Sequence, residues 1–275
     1  MKFPSAASVP LVLIATFALS LGSCTDFIAT EDLQEEWEIV ESDRIVLHYR
    51  PAGFSEAPSP TAGEAMFILQ NQELYYRAIC DSIGRDFSDR VMIYLFSQDE
   101  AEQHIGVQSG GHSIPKFNAV YFSFFHPSRE YTDQYGIENM FLGAHELVHV
   151  ITHQVFGYPG TKLMSEGYAN WLDGSYARYH IRDIVASYRD HELEKLMTPD
   201  GMLEKTGTAE QVYYPNVGVF TGFLVKEYGV ERINELFTTG KEQFISAFER
   251  ICNEGWNDMG EIGRASCRER VCHRV

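Results

Sequence analysis

Cations are scarce in this sequence. Its 22 Lys and Arg face 39 Asp and Glu, a formal net charge of −17. The body of the chain holds no basic patch or stripe to neutralise phosphates, which argues against nucleic acid as a partner. Cysteine is scarce too, with 5 in 275 residues, and no two have the CxxC spacing of a zinc or redox pair. Long apolar runs are missing from the body of the chain: the one at the start, Val9 to Leu21, is too short for a comfortable bilayer span. No internal repeat is found. The only Pro/Ser/Ala/Gly-rich stretch of the body, PAGFSEAPSP at residues 51–60, reads as a surface loop. What remains, 44% hydrophobic and 13% aromatic residues, is enough to bury the core of a globular protein.

The two ends differ from the body. The start, MKFPSAASVPLVLIATFALSLGSC, has one Lys followed by an apolar run of signal-peptide length. The run closes on Leu21-Gly22-Ser23-Cys24, which resembles the bacterial lipoprotein signal. That resemblance implies a signal peptide over residues 1–23 and lipidation of Cys24. Residues 24–36 would then be an acidic tether, and the mature chain would be held on a membrane in the cell envelope. An ordinary secretory signal with a chance Cys also leads out of the cytoplasm. At the other end, IGRASCRERVC (residues 262–272) is basic in an acidic protein. Its reverse translation resembles a sequencing adapter read in frame, so residues 262–275 are set aside as an artefact and the native C-terminus is expected to be missing. With Cys24, Cys267 and Cys272 set aside, Cys80 and Cys252 remain. An exported chain permits a disulfide between them, and two thiols fit equally.

Between these ends the order of elements predicts an α+β fold. EIVESDRIVLHY ends in a β-branched strand. AGEAMFILQNQELYYRAICDSIG then predicts a helix with Met66, Leu69 and Ile79 on its apolar face, stopping at Gly84. RVMIYLF is a short buried strand, Ser97 and Glu100 have the spacing of a capping box for a short helix, IGVQSGGHSIPK (residues 105–116) reads as a loop, and NAVYFSFF (residues 118–125) is the next strand. From about Gly136 the pattern turns helical. One helix carries AHELVH and one runs through SEGYANWLDG; others cover residues 179–196, 209–228 and 240–252. Residues 37–135 thus form a part with a mixed sheet and helices, residues 136–260 a mostly helical part, and a cleft between the two is the expected place for a site.

One stretch carries chemistry. In AHELVHVITH (residues 144–153), His145, His149 and His153 recur every fourth residue and Glu146 follows the first. Residues four apart lie on one face of a helix, so His145 and His149 can aim their imidazoles at one ion. Zinc takes such nitrogens and keeps a position for water in catalytic sites, and Glu146 stands close enough to take that water's proton. Apolar neighbours Phe141, Ala144, Val148, Ile151 and Val155 bury the helix, and an unpaired imidazole is costly there. A third ligand is needed. The metzincin arrangement would require Gly at position 152 and His at position 155, where this chain has Thr152 and Val155. LMSEGYANWLDG instead supplies Glu166 on the next predicted helix, after a turn containing Gly157, Pro159 and Gly160. One helix cannot easily aim three successive turns at one ion, so His153 is expected near the site or in simple packing. Asn170 and Asp173, at i+4 and i+7 from Glu166, suit either hydrogen bonding to the ligands or a solvated face.

HELVH followed by SEGYANWL resembles the gluzincin zinc peptidases, the peptidase-MA-like group. The resemblance spans residues 118–229, more weakly from Trp37. It implies a zincin-like fold binding one zinc ion through His145, His149 and Glu166, with Glu146 as general base. It also implies a peptide or protein substrate. YYPNVGVFTGFLVKEYG (residues 213–229) is similar to a later helix of the group, whose Tyr donates a hydrogen bond to the oxyanion; Tyr214 matches that offset, with Tyr213 beside it. In the group the strand containing VYFSFF would pair with an extended peptide, although its apolar composition equally suits a core strand. Two other readings stay open: a non-catalytic zinc-binding or surface-binding module on the same fold, which has no need of Glu146, and a metal-free helical protein with buried histidines.

Overall fold

The computed structural model describes residues 37–50, 59–97, 99–101, 110–124, 142–173, 196, 198–205 and 210–256. The expected signal, the tether with Cys24, the adapter-like tail and nearly all of the helix expected over 179–196 lie outside them. The fold is α+β, with a five-stranded mixed sheet in the first part and most of the helix in the second.

The sheet contains β1 (Glu38–Glu41), β2 (Ile45–Tyr49), β3 (Val91–Phe96), β4 (Gly111–Ile114) and β5 (Ala119–Ser123), in the order β1-β2-β3-β5-β4. The three central strands are parallel, and the two edges, β1 and β4, are antiparallel to their neighbours. In-register rows from the central strands, Ile45 with Val91, Leu47 with Ile93 and Val120, Tyr49 with Leu95 and Phe122, point to one face and are buried there. Each such side chain contributes about 1.5–3 kcal/mol by leaving water.

Helix α1 (Ala62–Ile83) connects β2 to β3 and packs on that face. Thr61 and Glu64 form a capping box at its start, and Gly84, at φ 63°, closes it. Its buried face is Ala65, Ile68, Leu69, Gln72, Tyr76, Ile79 and Ile83. Met66, assigned to that face from the sequence, is exposed, because it lies about 120° around the helix from Gln72. The Ser97/Glu100 capping box forms as expected: Glu100 N–H donates to Ser97 Oγ at 3.4 Å, and Ser97 N–H donates to Glu100 Oε2 at 3.1 Å.

The strand over VYFSFF turns out to be an inner strand, flanked by β3 and β4. The edge beside the helical part is β4, within residues 105–116, which the sequence reads as a loop. Its GHSI pattern is too short and polar for a strand signal. A 3-10 turn, Pro115–Phe117, and Asn118 at φ 51° reverse the chain into β5.

The second part comprises α2 (His145–Phe156), α3 (Lys162–Asp173), α4 (Pro199–Glu204), α5 (Glu210–Tyr228), α6 (Val230–Asn234) and α7 (Lys241–Cys252). Helices α3 and α5 approach closely through glycines. A Cβ on Gly167 would lie 2.2 Å from Thr221 Oγ1, and one on Gly218 would lie 2.7 Å from Asn170 Cβ. Cys80 is half-buried and Cys252 buried, and both are free thiols.

Candidate metal centre

Helix α2 enters without a capping side chain of its own, since Ala144 holds the N-cap position. Asp173, at the end of α3, fills that role from outside: its Oδ1 accepts the Ala144 N–H. A carboxylate here satisfies an orphan donor and faces the positive end of the helix dipole. The start of the helix bearing the histidines is thereby tied to the end of the helix bearing Glu166. The other side of α2 is core, with Leu147, Val148, Val150 and Ile151 fully buried.

The turn from α2 to α3 is equally constrained. Gly160 N–H donates to Phe237 O at 2.8 Å, and a Cβ on Gly160 would fall 2.1 Å from Thr239 O. Only glycine fits beneath that backbone. Thr161 then accepts the Met164 N–H at 3.3 Å and starts α3. Both ends of the α2–α3 pair are therefore fixed before any ligand is considered.

These constraints bring His145, His149 and Glu166 together. His145 Nε2 and His149 Nε2 are 3.2 Å apart, and Glu166 Oε2 is 3.3 Å from the first and 3.7 Å from the second. They form a cluster able to hold a metal ion. Their side chains keep 12–23% exposure, so the cluster is open to solvent on one side. Ser165 Oγ lies 3.4 Å from His149 Nδ1. A proton on that Nδ1, donated to Ser165, leaves the Nε2 lone pair facing the cluster. Ser165 was not singled out from the sequence; its position directly before Glu166 was the available signal.

The electrostatics are those of an anion held by imidazoles. Burial alone would raise Glu166, but hydrogen bonds from His145 and His149 hold it well below the usual carboxylate range. Burial opposes protonation of His145, yet the Glu166 carboxylate and then Glu146 outweigh it and raise the imidazole.

The other expected residues fall into distinct places. Glu146 faces the sheet edge: a Cβ on Gly111 of β4 would lie 2.7 Å from Glu146 Cγ. Tyr214 flanks the cluster, its ring 6.3 Å from that of His145. Tyr213 turns the other way, fully buried, and donates to Met202 O at 2.8 Å. One residue of helix rotates a side chain by about 100°, which separates these neighbours. Asn170 donates to the Glu166 backbone carbonyl at 2.7 Å and so touches the helix rather than the ligand atoms. His153 lies outside the cluster and packs at 5.1 Å against Tyr158. Neither models of known protein families nor curated protein sequences match this chain.

Proposed function

We propose that the protein is a zinc-dependent peptidase. The observation that carries this reading is the shape of the ligand triangle. A tetrahedral zinc ion with bonds of about 2.0–2.1 Å has donor atoms roughly 3.3–3.4 Å apart, and the edges here are 3.2, 3.3 and 3.7 Å. Two imidazole nitrogens and one carboxylate oxygen suit zinc, and three protein ligands with partial exposure match a catalytic rather than a closed structural site.

Zinc held by His145, His149 and Glu166 would supply a Lewis acid able to polarise a carbonyl and to lower the pKa of water to about 7. The chain's own groups do the rest. Glu146 takes the proton from the attacking water and delivers it to the leaving amine. Tyr214 donates its hydroxyl to the oxygen that gains charge. The β4 edge, lying against Glu146, offers backbone groups to an extended peptide, a mode in which main-chain hydrogen bonds supply affinity. Glu146 has no part to play in a purely structural zinc site, which favours this reading over a binding module. The lipoprotein-type signal would put the enzyme on the envelope, anchored through Cys24.

The test combines elemental analysis with hydrolysis of a mixed peptide pool by the wild type, by Glu146→Gln and by chelated protein. We expect one zinc per chain in both proteins and hydrolysis by the untreated wild type only. Activity that survives both the substitution and the chelator would sink the mechanism, and a chain that takes up no stoichiometric zinc would sink the whole reading.

A further inference from the structure

The face of the sheet opposite α1 carries a row of rings. His48, Tyr94, Tyr121 and His112 are partners in register on β2, β3, β5 and β4, and alternation along each strand turns them away from the face that α1 covers. The ring planes are nearly parallel. His48 and Tyr94 stack with centres 4.6 Å apart at 18°, and Tyr94 and Tyr121 with centres 5.1 Å apart at 12°. Neighbouring strands lie about 4.8 Å apart, so each strand sets its ring beside the last. The ladder is closed at one end, where Trp37 stands edge-on to His48 and Tyr94 at 6.4 and 5.6 Å. At the other end the row reaches His112, which is exposed and lies on the strand that ends the sheet.

The backbone of β4 is open in the same direction. Ser123 N–H donates to Gly110 O at 2.9 Å, which makes those two a hydrogen-bonded pair, and such pairs alternate along an antiparallel ladder. His112 and Ile114 therefore turn their backbone groups to β5, while Gly111 and Ser113 turn theirs to the free edge. The edge stops soon after. Pro115 has no N–H to offer, and its carbonyl already accepts the Asn118 N–H at 2.9 Å and Gln154 Nε2 at 2.6 Å. A strand added here pairs over about three residues, opposite Gly111, His112 and Ser113. The first of these positions lies beside Glu146, since a Cβ on Gly111 would be 2.7 Å from Glu146 Cγ.

Side chains of an added strand alternate as well. Those opposite Gly111 and Ser113 point to the side of Glu146, and the one between them points to the opposite face, beside His112. That position is the next place in the ladder of rings. We propose that the substrate residue opposite His112 is aromatic and that His112 selects it by ring contact. This rests on the peptidase reading above, which supplies the peptide. Cross-strand aromatic pairs stabilise a sheet face, and rings set side by side gain more than the area they bury. The selected residue is next along the substrate to the one at Glu146, with its side chain on the other side of the sheet.

The test measures binding, so that it does not depend on turnover. Full-length Glu146→Gln protein, in the presence of zinc, is titrated in a calorimeter with acetyl-Ala-Ala-Phe-Ala-Ala-amide, with the same peptide bearing Leu in place of Phe, and with the Phe peptide methylated at every backbone nitrogen. We expect the Phe peptide to bind about threefold to tenfold more tightly than the Leu peptide. The methylated peptide should not bind, because it has no N–H to donate to the edge. Adding His112→Ala should erase the preference for Phe while leaving Tm unchanged, since His112 is exposed; His112→Tyr should retain it. Equal affinity for Phe and Leu, immeasurable affinity for both included, would overturn the proposal. So would a preference that persists in His112→Ala, or a methylated peptide that binds as well as its parent. Discrimination without cleavage by the wild type would sink the peptidase reading alone. Cleavage without discrimination would sink this inference alone.

Discussion

Replacing Gly218 by alanine separates helix propensity from tertiary packing. By propensity alone the change should stabilise α5 by about 1 kcal/mol, since glycine is that much worse than alanine within a helix. The packing predicts the opposite. A Cβ at position 218 would sit 2.7 Å from Asn170 Cβ, 3.0 Å from the Asn170 carbonyl carbon and 3.2 Å from Trp171 N. Carbon atoms in contact prefer about 3.5–4.0 Å, so α3 and α5 must part by roughly 1 Å. Two of the obstructing atoms are backbone, which no rotamer change relieves. Overpacking costs about 1–3 kcal/mol, and with backbone atoms in the way the upper part of that range, about 2–3 kcal/mol, applies, so after the propensity gain the net loss is about 1–2 kcal/mol. For a domain of this size Tm should fall by about 2–8 °C.

The same movement has a chemical consequence. Asn170 is one turn along α3 from Glu166, so a retreat of α3 draws Glu166 Oε2 away from the two histidines. Zinc affinity should fall about tenfold or more, as it does when groups that orient ligands are lost. Denaturant melts of metal-free protein and a competitive zinc titration check both halves. A Gly218→Ala variant about 1 kcal/mol more stable than wild type, with unchanged zinc affinity, would refute the close crossing of the two helices.

Gly111→Ala should lower kcat/KM about a hundredfold with zinc content intact, because the new Cβ meets Glu146 Cγ and the Phe122 ring, and displacing a catalytic group by about 1 Å has that effect; unchanged kinetics would remove Glu146 from the sheet edge. Tyr214→Phe should reduce kcat about 10²–10³-fold, whereas Tyr213→Phe should cost about 1 kcal/mol of stability through its lost hydrogen bond to Met202 and leave kcat within a few-fold; the reverse pattern would reassign the tyrosines. Burial, and after it His149, depresses His153 to about 4, against about 6.5 in an unfolded chain. Between those values the unfolded state holds a proton that the folded state does not, so stability falls as pH drops from about 6.5 towards 4. The ring is only half-buried, so the loss is about 1–2 kcal/mol rather than the full value of the shift. His153→Phe should flatten that limb in melts of the metal-free protein at pH 7 and 4.5, and parallel losses in the two proteins would contradict it.

Much of the site was legible because helical periodicity is local. Four-residue spacing brings His145 and His149 to one face whatever surrounds them, and Glu166 was found by its neighbours on the next helix. The α5 helix, expected over residues 209–228, runs from Glu210 to Tyr228. Strand signals did less well. A four-residue polar edge strand has no alternation long enough to read, so β4 carries no strand signal of its own, and the choice between edge and core that the sequence leaves open for VYFSFF falls to core. Met66 shows the same limit in a helix: an apolar residue marks the buried face only when its angle agrees with the rest of the stripe. The tyrosine pair was undecided for a different reason, since adjacent residues on a helix share every sequence context and differ only in direction.

By itself the sequence determined the candidate ligand types, the helix that pairs two of them, the carboxylate beside the first, and the α+β order of elements. These follow from spacing and composition, which are properties of neighbours along the chain. Tertiary structure alone decided that Asp173 caps the helix of His145 and His149, that Gly160 and Gly218 are needed for clearance, and that Tyr214 rather than Tyr213 faces His145. Each of these joins atoms distant along the chain. Such contacts are set by how packed elements approach one another, which no local pattern encodes.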